Sequence, residues 1–183
     1  MPGSPDFNPP CHRSFTVIMR HEDPSVTFKR SWSAYKNGFG DTDADFWIGN
    51  VMLAHLSKSR QFDIRIELWT HDDSFYSVEY SNAMVKSEIS NFELSAQSYE
   101  KGLLTPGDLV SSGVPFMTYD ADINGCSAGH GEGGFWFNST DCSSGSLTGD
   151  LKTKTYWTTS RGTKVYAKKV LMKIIPSKAH LGM

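Results

Sequence analysis

Residues 35–50 read YKNGFGDTDADFWIGN, two blocks rich in aromatic residues and glycine on either side of an acidic loop at 41–45. Trp32 and Tyr35 are three residues apart, which is a helical spacing, and the glycines of the first block predict that this short helix ends there. The aromatic residues are expected in the core, where each buried ring contributes about 1.5–3 kcal/mol. The glycines are expected at backbone conformations that other residues avoid.

Alternating hydrophobic residues on both sides of this stretch predict strands. The clearest run is 62–69, and a turn at 71–74 connects it to a second alternating run at 75–80, so the two are expected to form a hairpin. A second short helix is predicted at 51–56. Further strands are predicted at 15–20, 92–96, 165–166 and 170–175. Beyond residue 101 the chain is rich in Gly, Ser, Thr and Asp, which indicates long loops of the kind that carry binding sites.

Composition excludes several classes of protein. The 183 residues carry 18 Lys+Arg and 20 Asp+Glu, for a net charge of −2, and 38% of them are hydrophobic. This is enough apolar surface for one ordinary domain or two small ones, and it excludes a disordered polymer. The near-neutral balance argues against nucleic acid or an anionic membrane as the main partner. No window approaches about 18 consecutive apolar residues, so no membrane span is expected.

The two ends of the chain are expected to lie outside the domain, which is placed at 11–177. Residues 1–10 read MPGSPDFNPP, hold four of the eight prolines and predict a disordered leader. They lack the basic and apolar regions of a signal peptide, so we expect either that the natural N-terminus lies upstream or that an expression remnant is present. Residues 178–183 are expected to be a C-terminal tail.

The cysteine count is odd. Cys11, Cys126 and Cys142 allow either one bridge with a leftover thiol or three reduced thiols, and both alternatives stay open on the residues alone. A zinc site would need more ligands at close spacing than the single nearby imidazole of His130.

The sequence resembles the fibrinogen-like C-terminal domain family, which includes fibrinogen chains, ficolins, tachylectins and angiopoietins. Residues 35–40 and 45–50 are similar to the family's Y-K-x-G-F-G and E-F-W-L-G-N, and residues 15–20 to its W-T-V-I-Q-R strand. Further matching segments are 64–68, 78–80, 107–108, 116–118, 133–136, 147–149 and 172–176. The resemblance implies an α+β fold with a twisted, mainly antiparallel sheet, short helices and a long loop-rich C-terminal ligand-binding region.

The same resemblance implies a Cys126–Cys142 disulfide, because the family's loop cysteines flank the segment that corresponds to 133–137. Closing this loop would contribute about 3 kcal/mol. Cys11 resembles one half of an N-terminal disulfide whose partner lies upstream, so the sequence is expected to be a fragment with Cys11 free or crosslinked to another chain; the alternative is an ordinary thiol in the leader. A bridge implies a secreted, extracellular protein. Asn138 begins an N-S-T glycosylation sequon.

A calcium site is implied at the loop 119–126. By correspondence with the family, Asp122 and Asn124 occupy ligand positions and Asp120 could contribute to a reduced site, since calcium takes six to eight oxygen ligands. Asn124 replaces a carboxylate. Only Gly125 separates this motif from Cys126, where the family has the residues that supply carbonyl ligands. The alternative is that these residues simply form a turn.

A ligand pocket is implied next to the disulfide. In the family's lectins an acetyl group enters a slot that combines apolar walls with a few fixed polar partners. The corresponding positions here are a cis peptide between Asp141 and Cys142, Ser143 in place of a family histidine, and aromatic walls. Those walls are Phe135, Phe137 and Tyr156, with Tyr156 replacing a tyrosine from a deleted segment. Core packing is the alternative role for the aromatic residues at 135–137.

The sequence contains no nucleophile elbow, H-E-x-x-H or glycine-rich phosphate loop, and we expect no enzymatic activity. Two functions fit the resemblance. The first is a secreted lectin-like module of innate immunity that binds glycans or acetylated groups through the disulfide loop. The second is a protein-binding or adhesion module that binds a receptor and has a degenerate sugar pocket. An oligomer formed through a missing upstream region is expected in either case.

Overall fold

The computed structural model describes residues 15–96, 98–99, 113–137, 142 and 145–177. Its helices are α1 (Trp32–Asn37), α2 (Asn50–Ser59) and α3 (Cys126–Gly129), with a 3₁₀ turn at Glu88–Ser90. Its strands are β1 (Thr16–His21), β2 (Phe39–Gly40), β3 (Phe46–Trp47), β4 (Phe62–Thr70), β5 (Phe75–Val85), β6 (Leu94–Ser95), β7 (Ser98–Tyr99), β8 (Gly145–Ser146), β9 (Tyr156–Thr158) and β10 (Lys164–Pro176). None of these helices is both long enough and apolar enough to cross a membrane.

The main sheet is built around β10, which pairs with β1 along one edge and with β4 along the other. Leu171 lies opposite Arg20 on one side and opposite Glu67 on the other. The strand order is β2-β3-β1-β10-β4-β5-β6, and all strand pairs in the described segments are antiparallel. The predicted α+β class, with a mainly antiparallel sheet and short helices, is confirmed.

The predicted hairpin is also confirmed, since β4 and β5 pair with Ile66 opposite Val78. Two details differ from the sequence predictions. The runs predicted at 165–166 and 170–175 form one strand of 13 residues, whose register against β4 shifts between Ala167 and Lys169. The strand predicted at 92–96 shortens to Leu94–Ser95, because Phe92 takes a positive φ of 46° that a strand does not allow.

The two aromatic blocks at 35–40 and 45–50 pack against each other in the core. The Tyr35 and Trp47 rings are buried with their centroids 5.6 Å apart. Trp47 Nε1 donates to Tyr35 O at 3.1 Å and to Asn50 Oδ1 at 3.0 Å, so the indole also satisfies the end of α1 and the start of α2. The helix α1 begins after Ser31, whose hydroxyl accepts from Ala34 N.

Two glycines let the backbones of these blocks touch. Gly38 has a φ of 90° and Gly49 a φ of 103°, both in a region that side chains rarely adopt. A Cβ at Gly38 would lie 2.8 Å from Ile48 O, and a Cβ at Gly49 would lie 2.9 Å from Gly38 N. The glycines of the motif are therefore needed both for their backbone conformation and for the close approach.

A chain of buried rings connects this core to the C-terminal loops. Phe116 packs against Trp47 with 5.8 Å between centroids and against Trp136 at 5.0 Å. Trp136 Nε1 donates to Phe92 O at 2.8 Å. These contacts hold the segment 133–137, which is part of the disulfide loop, against the core and so position the candidate site.

Candidate functional site

The implied disulfide is present. Cys126 and Cys142 are bridged with an S–S distance of 1.98 Å and a Cα–Cα distance of 5.4 Å, across a separation of 16 residues. Cys126 is buried at the start of α3. The bridge therefore anchors the loop to the core at one end.

Asp122 caps the short helix that carries Cys126. Its Oδ1 accepts from Cys126 N at 3.0 Å, and its Oδ2 accepts from Ser127 N at 2.9 Å and from Ala128 N at 3.3 Å. These are N–H groups of the first helical turn, which have no partner within the helix. This carboxylate therefore has a structural role whether or not it also binds a cation.

Asp120 faces a different element. Its Oδ1 accepts from Trp32 N at 2.8 Å and from Thr118 Oγ1 at 2.8 Å, which ties the loop to the start of α1. Asn124 lies exposed beyond Asp122. Among the residues that the structure describes, no three His, Cys, Asp or Glu side chains come together as metal ligands. The two carboxylates accept hydrogen bonds at the starts of separate helices, and calcium binding stays a prediction.

His130 lies at the centre of the loop and was not among the predicted ligand-binding residues. Its Nε2 forms a close hydrogen bond with the carbonyl oxygen of Cys142. Because a carbonyl can only accept, Nε2 carries the proton and Nδ1 is left as an acceptor. Nδ1 is buried and has no hydrogen-bond partner in the described part of the chain. The sequence signal was that His130 is the single histidine between the two bridged cysteines.

Two predicted aromatic walls contact His130. Its ring centroid lies 5.2 Å from that of Phe137 and 5.9 Å from that of Tyr156. We call His130, Phe137, Cys142 and Tyr156 the His130 cluster. Within it, Phe137 is 1% exposed and Tyr156 5%, and the predicted wall residue Phe135 is 0% exposed. The rings therefore also belong to the core, and the half-buried imidazole is the polar group among them.

The charges around His130 disfavour its protonation. Burial lowers the pKa of His130, and the nearby ammonium groups of Lys164 and Lys154 lower it further, against an opposing effect from Asp122. The imidazole is therefore neutral at neutral pH.

Several predicted residues lie outside the described residues. These are Asp141 and Ser143 of the implied pocket, Asn138 of the sequon, and Cys11. The cis peptide expected between Asp141 and Cys142 involves one of them. The leader at 1–10 and the tail at 178–183 lie outside the described residues as well.

A cavity of about 430 Å³ lies beside the predicted calcium loop. It is lined by Trp32, Glu88, Asn91, Phe116, Ala121, Asp122 and Ile123. Trp32 Nε1 donates to Glu88 Oε1 at 3.1 Å across its floor. Two isoleucines stand exposed nearby, Ile123 on its wall at 66% and Ile89, next to Glu88, at 97%. This groove, which has both polar and apolar walls, was not predicted from the sequence, because its walls come from segments far apart in the chain.

Comparison with known proteins supports the resemblance over most of the chain. The model of the C-terminal globular domain of fibrinogen beta and gamma chains matches residues 11–177. Human ficolin-3 (Homo sapiens) is 37% identical over 108 residues, which cover 58% of this chain and 36% of ficolin-3. Angiopoietin-4 of Bos taurus is 31% identical over 138 residues, which cover 74% of this chain and 27% of that protein. The matched region is thus 36% of the length of ficolin-3 and 27% of that of angiopoietin-4.

Solved structures show the same architecture. The fibrinogen-like globe domain of human ANGPTL2 superposes with a TM-score of 0.77 at 27% identity, covering 89% of this chain and 80% of that one. A lamprey fibrin D-dimer superposes with a TM-score of 0.71 at 21% identity, covering 90% of this chain and 62% of that one, which shows the fold alone. The family model matches residues 11–177, and the sheet around β10 and the paired aromatic blocks agree with it. This chain belongs to the family of fibrinogen C-terminal globular domains.

Proposed function

We propose that this domain is a secreted recognition module that binds glycans or acetylated groups at the His130 cluster. The observation that carries the proposal is the hydrogen bond from His130 Nε2 to the carbonyl of Cys142, with the imidazole between two aromatic rings. By the resemblance, the family's pocket histidine corresponds to Ser143. His130 would supply an imidazole to the same loop from the other side of the disulfide.

The chemistry of the cluster suits a small polar ligand. An acetyl group or a sugar ring needs an apolar surface together with a few fixed polar groups. The exposed ring of Tyr166, which packs against Tyr156, supplies the first, and the imidazole and the backbone around Cys142 supply the second. Phe137 and Tyr156 are themselves buried and hold the imidazole in place. The disulfide limits the motion of the loop, so less conformational entropy is lost when a ligand binds.

The similarity to ficolin-3 supports a lectin, and the similarity to angiopoietin-4 leaves a protein partner as the second candidate. The disulfide supports secretion, since such bonds persist in oxidising compartments. The domain acts as a binding module without a catalytic role.

The test is an array of glycans and acetylated ligands, probed with calcium and with a chelator. We expect binding to acetylated glycans that weakens at least about tenfold in His130→Ala, since each lost contact of about 1.4 kcal/mol is a tenfold change in affinity. His55→Ala is the matched control, because His55 is exposed on α2. A folded domain that binds nothing in either condition would contradict the proposal.

The chelator arm also tests the calcium prediction. If the loop at 119–126 binds calcium through Asp122, Asn124 and Asp120, removal of the ion should lower both the affinity for the array ligands and the melting temperature. Equal values with and without chelator would contradict the prediction.

A protein partner is the second candidate, and the groove beside Trp32 favours it. Ile89 and Ile123 expose apolar side chains next to it, and exposed apolar surface of this kind marks binding sites. Binding of the labelled domain to enzymatically deglycosylated cells separates the two functions. Binding that survives deglycosylation and is lost in Ile89→Ser/Ile123→Ser indicates a protein partner, and binding lost with the glycans indicates a lectin.

A further inference from the structure

The C-terminal part of the sheet is strongly basic. Residues 145–177 contain seven Lys or Arg residues and a single acidic residue, Asp150, although the whole chain carries a net charge of −2. Three of the seven are neutralised by ion pairs: Lys168 with Asp73, Lys169 with Glu22 and Lys173 with Glu67.

The other four basic side chains have no such partner among the residues that the structure describes. Lys152, Lys154, Arg161 and Lys164 are exposed, and none of them forms an ion pair with a described residue. All four lie in or next to the hairpin of β9 and β10, so their charges add rather than cancel.

One of these cations, Lys164, stands beside a pair of tyrosine rings. Tyr156 lies opposite Tyr166, and Thr158 opposite Lys164, in the pairing of β9 with β10. Side chains opposite each other, or two residues along, share one face of a hairpin. Lys164 Nζ accordingly lies 4.4 Å from the centroid of Tyr156, and the Tyr166 ring, 44% exposed, packs 5.4 Å from the same centroid.

Lys154 approaches the same place from the preceding turn. A Cβ at Gly131 would lie 3.1 Å from Lys154 Cβ, and a Cβ at Gly149 would lie 2.6 Å from Lys154 O and 2.8 Å from His130 O. The backbones at Lys154 and at His130 are therefore in near contact. We call Lys154, Tyr156, Lys164 and Tyr166 the basic face, and it adjoins the His130 cluster through Tyr156.

We propose that the basic face binds the anionic group of a glycan, a sulfate ester or a carboxylate, with the sugar ring packed on Tyr166 and the charge between Lys154 and Lys164. The proposal rests on the proposed glycan recognition and names the ligand chemistry for it. A neutral acetylated sugar cannot form ion pairs with these lysines, whereas an acidic sugar can pack on the tyrosine ring and pair with the lysines at the same time.

His130 couples this site to pH. The charged groups that act on it are Lys164 from β10, Lys154 from the turn before β9 and Asp122 from the loop before α3. A bound anion offsets the two lysine charges and so favours the protonated imidazole. Because linkage is reciprocal, protonation of His130 in turn strengthens anion binding. Acidification should therefore tighten the complex, as long as the ligand stays ionised.

The experiment measures binding of the whole chain to three probes of matched length: a sulfated keratan tetrasaccharide, which carries no carboxylate, a galacturonate tetrasaccharide and neutral N-acetylated chitotetraose. The first two distinguish sulfate from carboxylate. We expect at least one anionic probe to bind about tenfold more tightly than chitotetraose, and Lys154→Gln/Lys164→Gln to remove that advantage. Lys58→Gln/Arg60→Gln is the matched control, since it removes two exposed charges at the end of α2.

Unchanged melting temperatures would show that the exposed substitutions leave the fold intact. Affinity for the sulfated probe should rise about twofold to fivefold from pH 7.5 to pH 5.5, and this rise should disappear in His130→Gln. Equal binding of all three probes, or equal losses in the two double variants, would overturn the proposal while leaving glycan recognition in place. Absence of binding to every probe would overturn both.

Discussion

His21 shows how burial and one hydrogen bond set the charge of a side chain. It ends β1 with 2% of its surface exposed, and its Nδ1 lies 3.2 Å from Leu147 O. The carbonyl can only accept, so Nδ1 carries the proton. Burial lowers the pKa of His21 to about 4, against smaller opposing effects of the Leu147 carbonyl and of Asp150.

This lowered pKa predicts a pH-dependent stability. Between pH 6.5 and 4, His21 is protonated in the unfolded chain but stays neutral in the folded protein. The free energy of unfolding therefore falls as the pH falls through this window. We expect His21 to account for a loss of about 2 kcal/mol between pH 7.5 and pH 5. Urea unfolding of wild type and His21→Gln at each pH measures it. The same slope in both proteins would contradict the prediction.

The capping role of Asp122 predicts that its removal destabilises the protein whether or not a ligand is bound. Its two oxygens accept from three N–H groups at the start of α3, and loss of such a cap costs about 1–2 kcal/mol. Asp122→Ala should therefore lower the free energy of unfolding by that amount even in the presence of a chelator. Asp43→Ala removes an exposed carboxylate from another loop and serves as the control. Equal stability of the two variants would refute the capping role.

Among the secondary-structure elements, the close approach of the two aromatic blocks predicts that replacing Gly49 destabilises the protein more than replacing Gly162. Gly49→Ala should destabilise the protein by about 2–4 kcal/mol, because a Cβ there meets the Gly38 backbone and φ is positive. Gly162→Ala has a similar φ of 80° but open space around it, so about 1 kcal/mol is expected. Thermal and urea unfolding of both variants measures the difference. Similar costs would mean that strain alone, without the contact, explains the motif glycine.

The disulfide loop gives a second prediction at this scale. Reduction of Cys126–Cys142 should lower the free energy of unfolding by about 3 kcal/mol, because the unfolded chain gains the freedom of a loop closed across 16 residues. Urea unfolding with and without reductant measures the loss. A Cys126→Ala/Cys142→Ala variant provides the control, since reductant should leave its stability unchanged. A wild-type protein equally stable in both conditions would disprove the contribution.

How much of the structure could be predicted also varies between elements. The hairpin of β4 and β5 was visible because its alternation is long and local. The two-residue strands β2 and β3 have no such pattern, and their pairing depends on Gly40 and on contact with β1. The His130 cluster brings together residues of the loop-rich stretch 130–156, which has no periodic pattern from which their contacts could be predicted. The resemblance supplied its disulfide and its aromatic residues, but not the imidazole between them.

Across the whole molecule, stability should be distributed according to strand pairing. β10 and β4 each have a partner on both edges, whereas the outer strands β2 and β6 contain two residues each. We therefore expect the slowest amide exchange in β4 and β10, at the rate of global unfolding, and the fastest in the outer strands. Hydrogen–deuterium exchange followed by mass spectrometry measures this order. Exchange in β10 as fast as in β6 would contradict it.

The position of β10 also has a consequence for synthesis on the ribosome. β1 is among the first of the described segments to be synthesised. Its partner β10 begins only at Lys164, and the residues of β10 that pair with β1 extend to Ile174. Until that stretch leaves the exit tunnel, β1 and β4 each keep an unpaired edge, the feature that invites association with other nascent chains. The sheet can therefore close only near the end of translation of this domain, and chaperones that shield strand edges should act on it before then.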